Sequence, residues 1–210
     1  MTIPVIIDSC AWNYLFEHSI DLASELPREK FVLFMPREVE IEIGCIPDDG
    51  KDGEGKNSVD KRLLKAYIRN SIEANRVHTT SVFGFASLEP DGSLSKIQTY
   101  GGFNQGTFQS DDDRAWYASK SIRQHFPCNK IQNSGLGKNQ TDASLAVRSF
   151  DSIVLTNERK GKSGPLSIAV EQGGHVVYLR DEVETSGFSL RDYLCRLLLP
   201  ARPSTRTSAP

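Results

Sequence analysis

Five residues near the start of the chain, Ile3-Pro4-Val5-Ile6-Ile7, form an unbroken apolar run that stops at Asp8. A run this short and this rich in β-branched side chains reads as a strand buried on both faces, the appearance strands take inside a parallel sheet. Trp12, Leu15, Phe16 and Ile20 then recur at helical spacing, so the opening unit is strand, carboxylate, helix. The same pattern returns along the chain. Phe31-Val32-Leu33-Phe34-Met35 is a second strand candidate, closed by Pro36, which suits the first turn of a helix but not a central strand. Arg76 to Phe85 reads as a third, Ser152-Ile153-Val154-Leu155 as a fourth, and His175 to Leu179 as the last. Strands that alternate with helices imply crossover connections covering both faces of one sheet. The expected fold class is therefore α/β, a three-layer α/β/α sandwich around a central, mostly parallel sheet.

The stretch after Pro36 carries two patterns at once. Val39, Ile41, Ile43 and Cys45 alternate with Glu38, Glu40 and Glu42, a strand-like period, whereas Val39, Ile43 and Ile46 line one helical face. Pro36 as a helix starter and Glu38 near the positive end of the dipole favour the helix. Residues 47–57 are polar and glycine-rich, hence a loop. Val59 to Ile72 reads as a helix with Leu63, Leu64, Tyr67 and Ile68 inward. Ser110 followed by Asp111, Asp112 and Asp113 marks a helix start, which continues through Trp116 and Ile122 towards Pro127. Thr141 is a candidate N-cap for a helix running to Phe150; Leu166 to Glu171 forms a short helix, and Ser189 opens the last, through Leu199. Pro90-Asp91-Gly92 signals a hairpin inside an insertion from about 81 to 109, which ends in a flexible aromatic loop over 101–108. Residues 1–199 are expected to form one domain and residues 200–210, without large apolar side chains, a disordered tail.

A chain of 210 residues, 38% hydrophobic and 25% charged, suits such a single domain. Its 25 Lys+Arg against 27 Asp+Glu give a formal charge of −2, so no global positive field holds a polyanion and nucleic-acid binding would need a local patch. No apolar stretch approaches the roughly 20 residues of a membrane span, and no basic leader precedes the first strand, so the expectation is a cytoplasmic protein without membrane contact. Cys10, Cys45, Cys128 and Cys195 lack the close pairing of zinc sites or disulfide scaffolds and read as reduced, mostly core thiols. His18, His78, His125 and His175 show neither metal spacing nor a partnered nucleophile. Gly50 to Asn57 approaches a phosphate-binding P-loop, but Asn57 replaces the Ser or Thr that holds Mg²⁺ and no clear strand leads in.

In open parallel sheets ligands collect beyond the carboxyl ends of the strands. Asp8 and Glu158 stand directly after strand candidates, and Glu42 and Asp142 fall near helix starts that face the same end. Four crowded carboxylates repel one another unless a hard divalent cation supplies the missing charge, which points to Mg²⁺ or Mn²⁺, one ion or two. Each acid also has an ordinary reading: Asp8 as a turn residue, Glu42 as one of three acids on a solvated helix face, Asp142 as a first-turn acid, Glu158 as a surface residue beside Arg159 and Lys160.

Ile6-Ile7-Asp8-Ser9, Pro36 followed six residues later by Glu42, Thr141-Asp142-Ala143-Ser144-Leu145-Ala146, and Val154-Leu155-Thr156-Asn157-Glu158 occur in that order. Together they resemble the PIN-domain nucleases, metal-dependent ribonucleases that include the toxins of many bacterial toxin–antitoxin pairs. The resemblance covers about residues 3–46 and 139–180; the middle matches only in its order of elements. It implies a PIN-like sandwich with a β-hairpin insertion, and it implies that Asp8, Glu42, Asp142 and Glu158 are the catalytic metal ligands. Glu158 departs from the family, which usually has Asp after Thr-Asn. Ser9 and Thr156 match hydroxyl positions that orient the ligands, with Asn157 beside them. The implied reaction is in-line hydrolysis of an RNA phosphodiester that leaves a 5′-phosphate and a 3′-hydroxyl, in a toxin or defence effector. The implied partners are RNA, an antitoxin or other regulatory protein, and a second copy in a homodimer.

Arg159, Lys160 and Lys162 form the densest basic run near this cleft and would meet the RNA backbone, although solvated loop charge explains them equally well. Tyr100, Phe103 and Phe108 would stack unpaired bases or pack onto the core. Two further functional readings stay open: a catalytically degenerate PIN-like RNA-binding or assembly module, and a structure-specific DNA nuclease.

Overall fold

The computed structural model describes residues 2–47, 60–83, 98–103, 106–126 and 130–197. The first strand, β1 (Ile3–Ile7), lies at the centre of a five-stranded sheet. On one side it pairs with β2 (Phe31–Pro36), which pairs in turn with β3 (His78–Thr80). On the other it pairs with β6 (Ile153–Thr156), which pairs with β7 (Val176–Tyr178). Every pair is parallel, and the spatial order is β3-β2-β1-β6-β7. Val5, Ile7, Val154 and Leu155 are fully buried, as a strand covered on both faces requires.

The helices fall into two groups by the elements they touch. α1 (Ser9–Glu17) packs on α4 (Lys61–Asn75), and α2 (Leu22–Glu25) joins α4. α7 (Gln140–Arg148) packs on α8 (Pro165–Glu171) and α5 (Asp111–Ala118), and α6 (Lys120–Arg123) touches α5 and α8. α3 (Arg37–Gly44) reaches both groups through α1 and α7, and α9 (Leu190–Leu197) follows a π-helical segment, Leu179–Glu184. The arrangement is an α/β fold compatible with three layers. One core runs through it, from Trp12 and Leu15 on α1 to Leu145 and Ala146 on α7.

Several sequence expectations are corrected. The Arg76–Phe85 strand is interrupted at Ser81: His78–Thr80 joins the main sheet, whereas β4 (Val82–Phe83) pairs with β5 (Tyr100–Gly101) in a second small sheet. The Ser81 carbonyl accepts from the Thr107 amide at 2.9 Å, and Phe83 N donates to Thr107 O at 2.8 Å, which draws the chain away from β2. β4 and β5 run parallel, so these two strands do not form a hairpin with each other; the Pro90-Asp91-Gly92 turn lies outside the described residues, as do most of the 47–57 loop, Phe85, Val59, Cys128, the end of the last helix and the 200–210 tail. Leu63 is 58% exposed, because α4 starts at Lys61 under an Asp60 cap and its buried stripe is Leu64 and Ile68. The helix begun by Ser110, with its capping box, stops at Ala118, and Ser119 separates it from α6. Of the thiols, Cys10 and Cys195 are half-buried and Cys45 is exposed, so these are not core residues in the ordinary sense.

Candidate functional site

The sheet changes direction of growth at β1: the chain builds outward through β2 and β3, then returns to the other side of β1 as β6 and β7. A crevice opens where two neighbouring strands send their connections to opposite faces, here beyond the ends of β1 and β6. Asp8 and Glu158 follow those two strands.

Asp8 is held there by the ladder itself, its amide donating to Leu155 O at 3.0 Å. Its side chain is buried, and Oδ2 accepts from the Thr156 hydroxyl at 2.7 Å and the Cys10 thiol at 2.9 Å. Ser9 Oγ approaches Oδ1 at 3.4 Å. Burial pushes the Asp8 carboxyl above its ordinary range; the Cys10 and Thr156 hydrogen bonds oppose the shift, and the Glu158 charge adds to it. Thr156 is fully buried and also accepts from the Glu158 amide at 3.2 Å, so one hydroxyl fixes both the first carboxylate and the backbone carrying the last.

Glu42 comes from α3. Thr141, in the first turn of α7, donates to Glu42 Oε1 at 2.6 Å, across from one helix to the other. That use of the hydroxyl corrects its reading as an N-cap: the helix begins at Gln140, after Asn139 in a left-handed conformation with φ 62°, and Asn139 Nδ2 donates to His125 O. Burial raises the Glu42 carboxyl; Ser9 and Thr141 hydrogen bonds counter this, while Asp8 and Glu38 reinforce it.

Asp142 stands one residue beyond Thr141 and has no hydrogen-bond or ion-pair partner among the described residues. Burial and then the charges of Glu158, Asp8 and Glu42 push it up to about 7, against a single opposing cation, Lys162. The four carboxylates are therefore linked by charge: Asp142 senses all three of its fellows, Glu158 acts on Asp8, and Asp8 acts on Glu42. They stand near enough to feel one another's charge without being drawn tight. Among the described residues no three His, Cys, Asp or Glu side chains are grouped closely enough to hold one ion.

In donor type the residues fit a hard divalent cation, which takes carboxylate and amide oxygens. Two local observations agree with that: the repulsion on Asp142 outweighs the one opposing charge of Lys162, and Asn157 Oδ1 is buried without a hydrogen-bond partner. Asn157 N donates to the Cys10 sulfur at 3.1 Å, which keeps this residue beside Asp8. Glu158 is ion-paired with Lys162, so its carboxylate is the one already matched by a protein cation.

The basic run divides. Lys162 stays with Glu158 and within the field of Asp142. Lys160 turns to Glu182 at 2.6 Å, and its amide donates to Asp181. Arg159 is exposed and makes no side-chain pair among the described residues. In the insertion, Phe103 and Phe108 are exposed and both lean on Phe83, with ring centroids 5.2 and 5.1 Å away, rather than on the main core.

Two site residues were invisible in the sequence. Cys10 contacts Asp8, Thr156 at 3.2 Å and Asn157, and only its place in the first turn after Asp8 hinted at it. Glu38 reads in the sequence as one of three acids on a solvated face but is buried, accepting from Ser144 Oγ at 2.8 Å and from Thr99 N at 2.9 Å. Comparisons with family models, with curated proteins and with solved structures find nothing that matches this chain.

Proposed function

We propose that the protein is a Mg²⁺- or Mn²⁺-dependent endoribonuclease of PIN-like architecture, with the crevice beyond β1 and β6 as its active site. The observation that carries this reading is the placement of Asp142, within the field of Glu158, Asp8 and Glu42 and without a hydrogen-bond or ion-pair partner among the described residues, so that burial and those charges push its carboxyl up to about 7. Clustered acids held against their own repulsion are the mark of a site that binds a cation or trades protons. Asp8, Glu42 and Asp142 would be the metal's ligands, with Glu158 and the Asn157 amide oxygen beside them, and they would have to close on the ion from the wider spacing they keep without it. When bound, the metal supplies charge to the phosphodiester oxygens and activates the attacking water.

The protein's own part is positioning. Thr156 and Cys10 fix Asp8, Thr141 fixes Glu42, and Lys162 brings a positive charge to the mouth of a net acidic crevice. Phosphate contacts made by Lys162 and by Arg159, which is exposed, would supply most of the RNA affinity, making it sensitive to salt.

The test is cleavage of single-stranded RNA with Mn²⁺ and with chelator, comparing wild type with Asp8→Asn and Asp142→Asn. Wild type should cut only with metal, leaving 5′-phosphate ends, and each variant should lose at least about 100-fold in rate. Equal behaviour of all three removes the proposal. A second reading, a degenerate RNA-binding or assembly module, is favoured by one observation, the Lys162 ion pair that neutralises Glu158. It would give metal-independent RNA binding without cutting.

A further inference from the structure

A cleft of about 360 Å³ adjoins the carboxylates, between α1, α3 and the start of α4. Ser9, Cys10 and Glu42 form its wall on the carboxylate side, so cleft and crevice share side chains. Ile43, Ile46 and Leu64 make an apolar wall. Asn13, on the second turn of α1, and Lys61, at the start of α4, supply polar groups. The Asn13 amide makes no hydrogen bond to any described residue, although it can offer both donors and an acceptor.

We infer that this cleft is the subsite for one unpaired nucleoside of the substrate strand, next to the bond that is cut; the inference rests on the endoribonuclease reading. The volume lies at the lower end of the roughly 300–1,000 Å³ of small-molecule sites, room for a single base and its sugar but not for a helix or a folded partner. An apolar wall facing a free carboxamide matches a nucleobase, which has an apolar face and an edge of alternating donors and acceptors. Lys61 matches the phosphate that leads out of the cleft. A base enters such a cleft only when it is out of a duplex stack, so the substrate class is single-stranded or looped RNA rather than continuous double helix.

Cys45 lines the cleft and is exposed, which provides a probe that needs neither metal nor turnover. Alkylation of Cys45 by iodoacetamide is followed by peptide mapping in chelator, with Cys195 as reference. Adenosine and uridine 5′-monophosphate at millimolar concentration should slow Cys45 labelling about tenfold, the protection given when ligand exceeds its dissociation constant about tenfold. Cys195 should not respond, and ribose 5-phosphate, which lacks the base, should protect little. Asn13→Ala should weaken protection, and Asn13→Trp should fill the cleft, slowing labelling without nucleotide. Equal protection by ribose 5-phosphate, or none by either nucleotide, overturns the subsite. Protection in a protein that cuts no RNA with Mn²⁺ keeps the subsite and removes the hydrolysis; cutting without protection does the reverse.

Discussion

Two carboxylates that share the crevice live under opposite conditions. Asp8 Oδ2 receives hydrogen bonds from Thr156 and Cys10, whereas Asp142 receives none from the described residues and is pushed up to about 7. An unfolded Asp titrates near 3.9, so between about pH 4 and 7 the folded protein binds more protons at Asp142 than the unfolded chain does. Stability must then fall as pH rises through that window. Asp142→Asn, which removes the charge and keeps the shape, should melt above wild type at pH 8 in chelator and converge with it near pH 4. The full shift corresponds to about 4 kcal/mol, and water at the half-buried group reduces this to about 1–3 kcal/mol. Calorimetry across pH decides; a variant no more stable than wild type at pH 8 means that Asp142 is not repelled. At this scale Asp8 and Asp142 were legible, because a strand end and a Thr-Asp helix start leave local marks. Cys10 was not, since a half-buried thiol two residues past an Asp looks like any small apolar residue.

Helix α3 shows how an element can be read correctly and its faces wrongly. Pro36 decided helix over strand, and the helix is there. Its acids divide by phase: Glu40 pairs with Arg37 at the surface, Glu42 faces the crevice, and Glu38 turns inward to Ser144 and Thr99. Composition could not distinguish them, because the partners of Glu38 lie on α7 and just before β5, far away in sequence. Removing Glu38 leaves a buried hydroxyl and a backbone amide without acceptors. Glu38→Ala should therefore cost about 2–4 kcal/mol, read as a lower urea midpoint at unchanged slope, while Glu40→Ala should stay within about 0.5 kcal/mol. A Glu38→Ala protein as stable as wild type would mean that α3 is not tied to α7 by this carboxylate. The same non-local logic explains Ser81. Nothing nearby in sequence announces that Thr107 takes its carbonyl, or that Gly106 sits so close that an added Cβ would lie 2.3 Å from that oxygen.

Over the whole molecule, β1, β2, β6 and β7 were legible as buried apolar runs, but their order was not, because register and neighbours are set by packing between segments distant in the chain. The order places β1 and β6 side by side and so brings residues 8, 42, 142 and 158, from four separate elements, within range of one another's charge. In the proposed metal site, cation, protons and folding would be coupled. A cation that binds only the folded protein stabilises it by about 2.7 kcal/mol at a hundredfold excess over its dissociation constant. For a chain of this length that is a rise of about 5–10 °C in melting temperature. Binding requires ionised carboxylates, and Asp142 ionises only near pH 7, so the metal-induced rise should be small at pH 5.5 and grow towards pH 8. It should disappear in Asp8→Asn at every pH. In Asp142→Asn it should shrink and lose most of its pH dependence, because the group that competes for protons is gone. Melting curves with Mn²⁺, Mg²⁺ and chelator at three pH values measure all of this without any substrate. A rise that is the same at pH 5.5 and pH 8, or that survives in Asp8→Asn, would locate cation binding away from the crevice.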